Sequence, residues 1–353
     1  MYKLYLLALI VSGVATYFLT FGVKKLAVKY GVMDIPDARR VHTVPIPRWG
    51  GLAMFGGFVI SMLTLLIVSK RFHLLLAYRN PLKDNNGDVI GMLSIGQQFI
   101  GIIVALVIII ILGMIDDKKS VPPVPKLLTQ IIAAYVAMDF GVRIFGLELP
   151  WGIDFVAFPI IVTQILTVFW LIGFMNTINL IDGLDGLAAG VVAIAAFTFL
   201  IVAILQGQTQ DIFQAKQLKL AAILAAGLCG ACVGFLFHNF YPAKIFMGDT
   251  GALFLGFMLG TIAVIGTLKT AAVISLIIPV LVIALPVLDV AMAIIRRLMR
   301  RQSIMAADKE HFHHRLLSLG WSQREAVLFI YVLSIVLSET AIIITIFRAM
   351  PLK

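Results

Sequence analysis

Charged residues are scarce in this chain: Asp, Glu, Lys and Arg make up 13% of its 353 residues, whereas 61% are apolar. A soluble domain of this size needs more charge to cover its surface. Long apolar runs are instead typical of membrane-spanning segments, which are helical because lipid cannot satisfy exposed backbone N–H and C=O groups. We therefore predict an all-α polytopic membrane protein.

Cysteine is scarce as well. The two cysteines, Cys229 and Cys232, lie in an apolar run with the sequence GLCGACVG. A CxxC pair can bind a metal or carry redox chemistry, but no second pair of ligands accompanies this one. Packing of small residues between helices is the better interpretation. The glycines of GALFLGFMLG (Gly251, Gly256 and Gly260) have the same interpretation.

About ten apolar runs have the roughly 17–25 residues needed to cross a bilayer. The first begins after Lys3 and has no small-residue cleavage site, so we interpret it as a membrane helix and not as a signal peptide. No soluble domain or internal repeat separates the runs, so we treat residues 1–353 as a single membrane domain. The predicted spans are 4–22, 50–68, 94–114, 127–142, 154–174, 184–205, 219–237, 251–267, 271–295 and 326–347, of which the fourth is short.

The distribution of positive charge predicts the orientation of the chain. Most of the 28 Lys and Arg residues fall in the connections that follow the odd-numbered spans. Basic connections remain in the cytoplasm, so both termini are expected outside. The same rule explains the formal net charge of +10, because basic loops lie beside anionic lipid, and we expect no nucleic-acid partner.

Acidic side chains stand at the ends of several apolar runs. Asp116 and Asp117 end the third run in GMIDDKKS, where a solvated helix end is the alternative interpretation. Asp249 begins another run in FMGDTG, and Asp289 lies inside the ninth. Acidic residues at membrane depth are energetically unfavourable and therefore indicate a functional site.

A second motif, MNTINLIDGLDG, carries a polar residue at every third position between two apolar runs. On a helix this spacing stacks the side chains along one face. The adjacent glycines permit a bend in the chain or the close approach of a ligand. The polar residues are Asn176, Asn179, Asp182 and Asp185.

Three of the six histidines fall in DKEHFHHRL, as His311, His313 and His314, and Arg315 follows them. Zinc binding is one interpretation, but no cysteine or further histidine pair completes a ligand set. Arg and His side chains donate hydrogen bonds well to phosphate oxygens. A phosphate-binding loop is therefore the better interpretation.

All of these motifs fall on the predicted cytoplasmic side. Acidic residues able to hold Mg²⁺, together with basic donors, are what chemistry on a pyrophosphate requires. We therefore predict a membrane enzyme that acts on a phosphorylated substrate at the cytoplasmic face. A transporter is the alternative, but its charges would lie near the bilayer midplane and often in two related halves.

Together these motifs resemble those of the polyprenyl-phosphate N-acetylhexosamine-1-phosphate transferase family (glycosyltransferase 4 family) along nearly the whole chain. The matching stretches are DIPDARRVHTVPIPRWGG, MIDDKK, NTINLIDGLDGLAAG, FMGDTGALFLG, ALPVLD with the following IRR, and DKEHFHHRLL. The resemblance implies transfer of a sugar-1-phosphate from a UDP-sugar to undecaprenyl phosphate, with release of UMP and a requirement for Mg²⁺ or Mn²⁺. It also implies a multi-pass protein of the bacterial cell membrane.

The resemblance is greater to the branch that uses UDP-N-acetylglucosamine to begin a cell-surface polymer such as teichoic acid or O-antigen. The sister branch, phospho-N-acetylmuramoyl-pentapeptide transferase, has three consecutive histidines where this chain has His311-Phe312-His313-His314. It also has a TPTMGG-like segment where this chain has IPRWGG. Both departures favour the N-acetylglucosamine branch and imply UDP-N-acetylglucosamine, undecaprenyl phosphate and membrane lipids as partners; a homodimer stays open.

The resemblance also implies roles for individual residues. Asp249 is expected to be the principal metal ligand, with Asn179 as a second. Asp116 and Asp117 match a catalytic pair near the metal and the acceptor phosphate. We expect direct attack by the acceptor phosphate with Asp117 facing it, while an aspartyl-phosphate intermediate on Asp117 stays open. The residues expected to bind substrate are Asn176, Asp182, Asp185, Lys126, His311, His313, His314 and Arg315.

Overall fold

The computed structural model describes residues 1–36, 44–83, 89–149, 153–207, 212–266 and 316–349, and the single positions 284, 288, 292 and 299. The helices along these residues are α1 (Tyr2–Lys29), α2 (Gly50–Val68), α3 (Lys70–Leu76), α4 (Ile95–Lys118), α5 (Pro123–Asp139), α6 (Ile160–Ile181), α7 (Leu187–Gln206), α8 (Ile212–Asn239), α9 (Gly248–Gly266) and α10 (Gln323–Ala349). Antiparallel hairpins pair β1 (Met33–Asp34) with β2 (Ile46–Pro47), β3 (Arg79–Lys83) with β4 (Val89–Ser94), and β5 (Gly146–Leu149) with β6 (Ile153–Ala157).

Eight of the described helices are long and apolar enough to cross a membrane: α1, α2, α4, α6, α7, α8, α9 and α10. The prediction of an all-α, multi-pass membrane protein is therefore confirmed. The fourth predicted span, 127–142, corresponds to α5, which has 17 residues and is shorter than these eight helices. The ninth predicted span, 271–295, lies outside the described residues except for isolated positions.

Two helices are longer than the apolar runs that predict them. α1 and α8 each have 28 residues, whereas the predicted spans are 4–22 and 219–237. A helix of this length extends about 42 Å, and the hydrocarbon core of a bilayer is about 30 Å thick. Polar helix ends can therefore reach the headgroup region, which is why hydropathy alone underestimates both helices.

The chain reverses direction from one long helix to the next, which brings several helix ends together. Hydrogen bonds join the C-terminus of α4 to the N-terminus of α9, and the end of α8 to the turn before α7. The start of α2 is bonded to the residues just before α9. The β3–β4 and β5–β6 hairpins connect helices at the opposite end of the bundle. The acidic motifs therefore meet at one end.

The helix α9 lies at the centre of the bundle, where every residue of α9 except Asp249 is buried. It packs against α2, α4, α6, α7 and α8. Glycines allow the close approach, because a Cβ added at Gly51 of α2 would overlap the backbone of Gly251, and one added at Gly113 of α4 would overlap that of Thr250. The first turn of α9 is therefore held firmly from two sides.

The small residues that the sequence assigns to helix packing are buried in the structure. Cys229 and Cys232 are free thiols within α8. Gly256 of α9 faces the backbone of Met175 in α6, which leaves no room for a Cβ. Burial and close contacts at these positions agree with a role in helix packing.

Candidate active site

The N-terminus of α9 is capped by Asp117, in the last turn of α4. Its Oδ1 accepts a hydrogen bond from the backbone N–H of Asp249 at 2.8 Å. Its Oδ2 accepts from the backbone N–H of Thr250 at 3.1 Å and from the Thr250 hydroxyl at 2.6 Å. The first N–H groups of a helix lack partners within the helix, and the helix dipole favours an anion there. Both oxygens of Asp117 are therefore engaged in holding α9.

A glycine directly before Asp249 makes room for this cap. Gly248 has φ +68°, in the left-handed region that favours glycine, and a Cβ at this position would overlap the Asp117 carboxylate. The Asp117 residue is only 8% exposed. The local sequence Gly248-Asp249-Thr250 thus fits a buried carboxylate beneath the helix start.

The neighbouring acid, Asp116, points to a different partner. Its Oδ2 lies 2.7 Å from the Nζ atom of Lys126, and its Oδ1 accepts from the backbone N–H of Val121 at 2.7 Å. Lys126, in the first turn of α5, also forms an ion pair with Oδ2 of Asp249. Adjacent residues on a helix point about 100° apart, which is why the two acids of the pair face different neighbours.

The carboxylate of Asp249 is the accessible centre of this cluster. Its Oδ1 accepts from the side-chain amide of Asn179 at 3.0 Å. The side chain of Asp249 is 30% exposed, whereas those of Asp116 and Lys126 are 8% and 18% exposed. Helices α4, α5, α6 and α9 therefore each contribute one polar side chain to a cluster that is open to solvent at Asp249.

The oxygen atoms at this position are suitable ligands for a hard divalent cation. Oxygens of Asp116 and Asp249 converge on a single positive charge, the ammonium group of Lys126. Within the described residues, no three acidic, histidine or cysteine side chains are grouped closely enough to enclose an ion alone. Mg²⁺ is commonly held by one or two carboxylates plus substrate phosphates, which agrees with this arrangement.

The turn between α6 and α7 lies beside the cluster. Burial, together with the negative charges of Asp249 and Asp117, raises the pKa of Asp182 to about 8, although Arg48 opposes the shift. Asp185 accepts a hydrogen bond from the backbone N–H of Ala243 at 2.9 Å and so holds the loop that leads from α8 to α9.

The predicted stacking of four polar residues along one helix face is wrong for part of the motif. α6 ends at Ile181, so Asp182 is its C-cap and Asp185 lies in the following turn, where Gly186 takes φ +78°. Asn176 is on the helix, but its amide donates to Gln130 of α5 at 2.9 Å. Asn179 is the member of the motif that contacts Asp249 directly.

Several residues that support the site have no distinctive signal in the sequence. Thr250 completes the cap on α9. Asn239 accepts from the Gly186 N–H at 3.1 Å, and the Tyr331 hydroxyl donates to the Gly186 carbonyl at 2.6 Å. Only Thr250, next to Asp249 in the acidic motif, could have been found from its position. The predicted residues His311, His313, His314, Arg315 and Asp289 lie outside the described residues.

Comparison of the sequence with known proteins identifies the family of the chain. The family model described as glycosyl transferase family 4 matches residues 99–267, which include Asp116 and Asp249. A probable undecaprenyl-phosphate N-acetylglucosaminyl 1-phosphate transferase of Bacillus subtilis (strain 168) is 35% identical over 342 residues, covering 96% of this chain and 84% of that protein. The chain belongs to glycosyl transferase family 4.

Two further relatives show how far the likeness extends within family 4. A decaprenyl-phosphate N-acetylglucosaminephosphotransferase of Mycolicibacterium smegmatis is 34% identical, covering 91% of this chain and 77% of that protein. A phospho-N-acetylmuramoyl-pentapeptide-transferase of Bacillus licheniformis is 33% identical, covering 66% of this chain and 70% of that protein. The likeness to the N-acetylglucosamine enzymes thus spans more of the chain, and the protein is a multi-pass membrane transferase of bacterial type.

Proposed function

We propose that this family 4 member transfers N-acetylglucosamine-1-phosphate from UDP-N-acetylglucosamine to undecaprenyl phosphate, giving undecaprenyl-pyrophosphoryl-N-acetylglucosamine and UMP. The observation that carries the proposal is the convergence of Asp116, Lys126 and Asp249 at the capped start of α9. This cluster combines acidic ligands with a cation, as phosphoryl transfer requires. The extent of the match to N-acetylglucosamine enzymes supports the choice of sugar. The product would begin a cell-surface polymer.

The proposed step is a direct displacement at phosphorus. An oxygen of undecaprenyl phosphate forms a bond to the β-phosphorus of the donor, while the bond between that phosphorus and the bridging oxygen breaks and UMP leaves with the electron pair. A phosphate monoester is largely dianionic near neutral pH, so the chain's main tasks are positioning and charge neutralisation. Lys126 supplies a fixed positive charge beside the reacting phosphates.

Asp249 and Asp116 would hold the divalent cation, Mg²⁺ or Mn²⁺, with substrate phosphates as its other ligands. When bound, the ion would neutralise negative charge that develops on the leaving UMP. Asn179 keeps the Asp249 carboxylate oriented through the 3.0 Å hydrogen bond. Asp182 lies close enough to feel the charges of Asp249 and Asp117, and we propose that it contacts the nucleotide or the ion.

The resemblance suggests that Asp117 faces the acceptor phosphate. The geometry supports Asp116 in that role and Asp117 as the cap of α9. Asp117 uses both oxygens on the N–H groups and hydroxyl of α9, so attack by Asp117 on a phosphate would compete with its role as the cap. Asp116 instead faces Lys126 beside the open position. We therefore assign the reacting side of the site to Asp116 and disfavour an aspartyl-phosphate intermediate on Asp117.

We further propose that the site faces the cytoplasm and that both termini lie outside. The α1 helix ends near the β1–β2 hairpin on the site end, so its N-terminus is at the other end. Tyr331 of α10 is bonded to the turn beside the site, and the remaining apolar part of α10 leads away from it. Both observations agree with the orientation expected from the positive charges.

The experiment that tests substrate choice uses purified protein in detergent with undecaprenyl phosphate and Mg²⁺. We expect a lipid-linked product with labelled UDP-N-acetylglucosamine and none with UDP-N-acetylmuramoyl-pentapeptide. The reverse preference would replace the proposal by the peptidoglycan reaction. No product with either donor, combined with uptake of a solute into proteoliposomes, would favour the transporter alternative.

A further inference from the structure

A buried carboxylate holds the guanidinium group of Arg48 at the site end of the bundle. The Nη2 atom of Arg48 lies 2.9 Å from Oδ1 of Asp34. The Asp34 side chain is 8% exposed, whereas the Arg48 side chain is 31% exposed. The pair therefore fixes one part of the guanidinium and leaves other N–H groups accessible, since the group carries five donors in a planar fork.

Hydrogen bonds also hold the backbone on both sides of Arg48. Asp34 of β1 pairs with Ile46 of β2, and the Arg48 N–H donates to the Val32 carbonyl at 3.0 Å. The next residue, Trp49, has φ +75° and donates from its indole nitrogen to the Met114 carbonyl at 3.3 Å. A left-handed conformation at a bulky residue is unfavourable and persists only where the surroundings enforce it.

The same segment is bonded directly to the residues that lead into Asp249. The Phe246 N–H donates to the Pro47 carbonyl at 2.8 Å, and the Gly50 N–H donates back to the Phe246 carbonyl at 2.9 Å. The Gly51 N–H donates to the Met247 carbonyl at 2.9 Å. Arg48 thus lies between Pro47 on one side and Gly50 and Gly51 on the other, and all three are hydrogen-bonded to the segment that leads into Asp249.

Charge complementarity indicates what the accessible part of Arg48 recognises. The neighbouring site carries the carboxylates of Asp116, Asp117 and Asp249, and Lys126 is already paired with two of them, Asp116 and Asp249. The pKa of Asp182 is raised mainly by burial, and the positive charge of Arg48 opposes this shift. Arg48 is therefore close enough to interact electrostatically with groups of the site. Substrates with several phosphate charges would need a further fixed cation here, and arginine binds phosphate through paired N–H donors.

We propose that Arg48, positioned by Asp34, is a phosphate-binding residue of the site and contacts a non-bridging phosphate oxygen of one substrate. This inference rests on the proposed function, because it presumes substrates that carry phosphate. The ligand chemistry is an oxyanion of phosphorus, present both in the diphosphate of the nucleotide sugar and in the monoester of the lipid acceptor. Asp34 is a positioning residue that acts through Arg48.

The test measures steady-state kinetics with each substrate varied in turn, and binding of UDP-N-acetylglucosamine and UMP by calorimetry. Arg48→Gln should raise the KM of the contacted substrate about tenfold or more and leave the other within about twofold. A rise in the donor KM with weaker donor binding assigns the diphosphate. A rise in the acceptor KM alone assigns the lipid phosphate. Asp34→Asn should raise the same KM by less, because the charge of Arg48 remains.

Controls separate recognition from folding and from the proposed function. Arg143→Gln removes an arginine that pairs with Asp139 at 3.7 Å, beyond the C-terminal end of α5, and should change neither KM. Arg48→Lys keeps a positive charge beside Asp34, so its KM should lie between those of wild type and Arg48→Gln. This variant tests the inference even where Arg48→Gln folds poorly. Unchanged KM values and donor binding in Arg48→Gln would overturn the inference. An inactive wild type would overturn the proposed function, while calorimetry with the donor and with undecaprenyl phosphate would still test Arg48.

Discussion

At the residue scale, Asp249 is the carboxylate on which the site converges, since it contacts Lys126 and Asn179 and remains partly exposed. Asp249→Asn keeps the size of the side chain but removes its charge. We expect a loss of activity of about 100-fold or more, and a shift of the Mg²⁺ titration to higher concentration, because a hard cation loses a ligand. Activity is measured across Mg²⁺ concentrations. Asp139→Asn, at the far end of α5, is the matched control, and equal activity of Asp249→Asn and wild type at limiting Mg²⁺ would contradict the assignment.

The two adjacent acids should separate into a stability effect and a turnover effect. Asp117→Asn leaves donors of α9 without an acceptor and should destabilise the protein by about 1–3 kcal/mol. Asp116→Asn should destabilise the protein less, because Lys126 keeps its ion pair with Asp249. It should lower kcat strongly and weaken Mg²⁺-dependent UMP binding, since Asp116 lies on the reacting side of the site and would hold the cation. Melting temperatures, kcat and UMP calorimetry are measured on both variants. A stable Asp117→Asn with a large loss of kcat alone would reverse the two roles.

The acids themselves could be predicted from the sequence, but their division of labour could not. Asp116, Asp117 and Asp249 stand where apolar runs end, and that position alone marks them as functional candidates. The side that each carboxylate faces depends on the rotation of α4 relative to α9 and on the hydroxyl of Thr250. Neither is encoded in the local spacing of the residues, so the sequence alone cannot decide which of the two acids faces the acceptor.

At the scale of elements, the contact between α4 and α9 depends on glycine at position 113. Gly113→Ala would place a Cβ against the backbone of Thr250 and should destabilise the protein by about 1–3 kcal/mol, with a parallel loss of activity. Gly173→Ala is the control, because nothing lies within 4 Å of an added Cβ there and alanine favours the helix. Melting temperature and activity are measured together. A neutral Gly113→Ala would show that the two helices can separate freely.

Hydropathy predicts the helices better than the connections between them. The apolar runs locate the eight membrane-crossing helices because lipid requires long helical segments. The three hairpins were not predicted, since strands of two to six residues carry too few alternating positions to stand out. Of the three hairpins, β1–β2 matters most for the site, because it positions Arg48 and joins α2 to the residues before Asp249.

At the scale of the whole molecule, the two ends of the bundle should differ in their access to reagents. Single cysteines at Lys118 and at Met92 lie on exposed positions at the site end and the hairpin end, respectively. With Cys229 and Cys232 replaced, Met92→Cys should react with an impermeant thiol reagent in intact cells, and Lys118→Cys only after lysis. Labelling of Lys118→Cys in intact cells would place the site outside the cytoplasm.

The most direct test of the proposed reaction follows both halves of the donor. Purified protein is incubated with undecaprenyl phosphate, Mg²⁺ and UDP-N-acetylglucosamine labelled in the sugar and in the β-phosphate. Transfer of the sugar-1-phosphate predicts both labels in the lipid fraction in equal amounts, with unlabelled UMP in the aqueous fraction. Sugar label alone in the lipid, with labelled UDP released, would show attack at the sugar carbon and contradict the account.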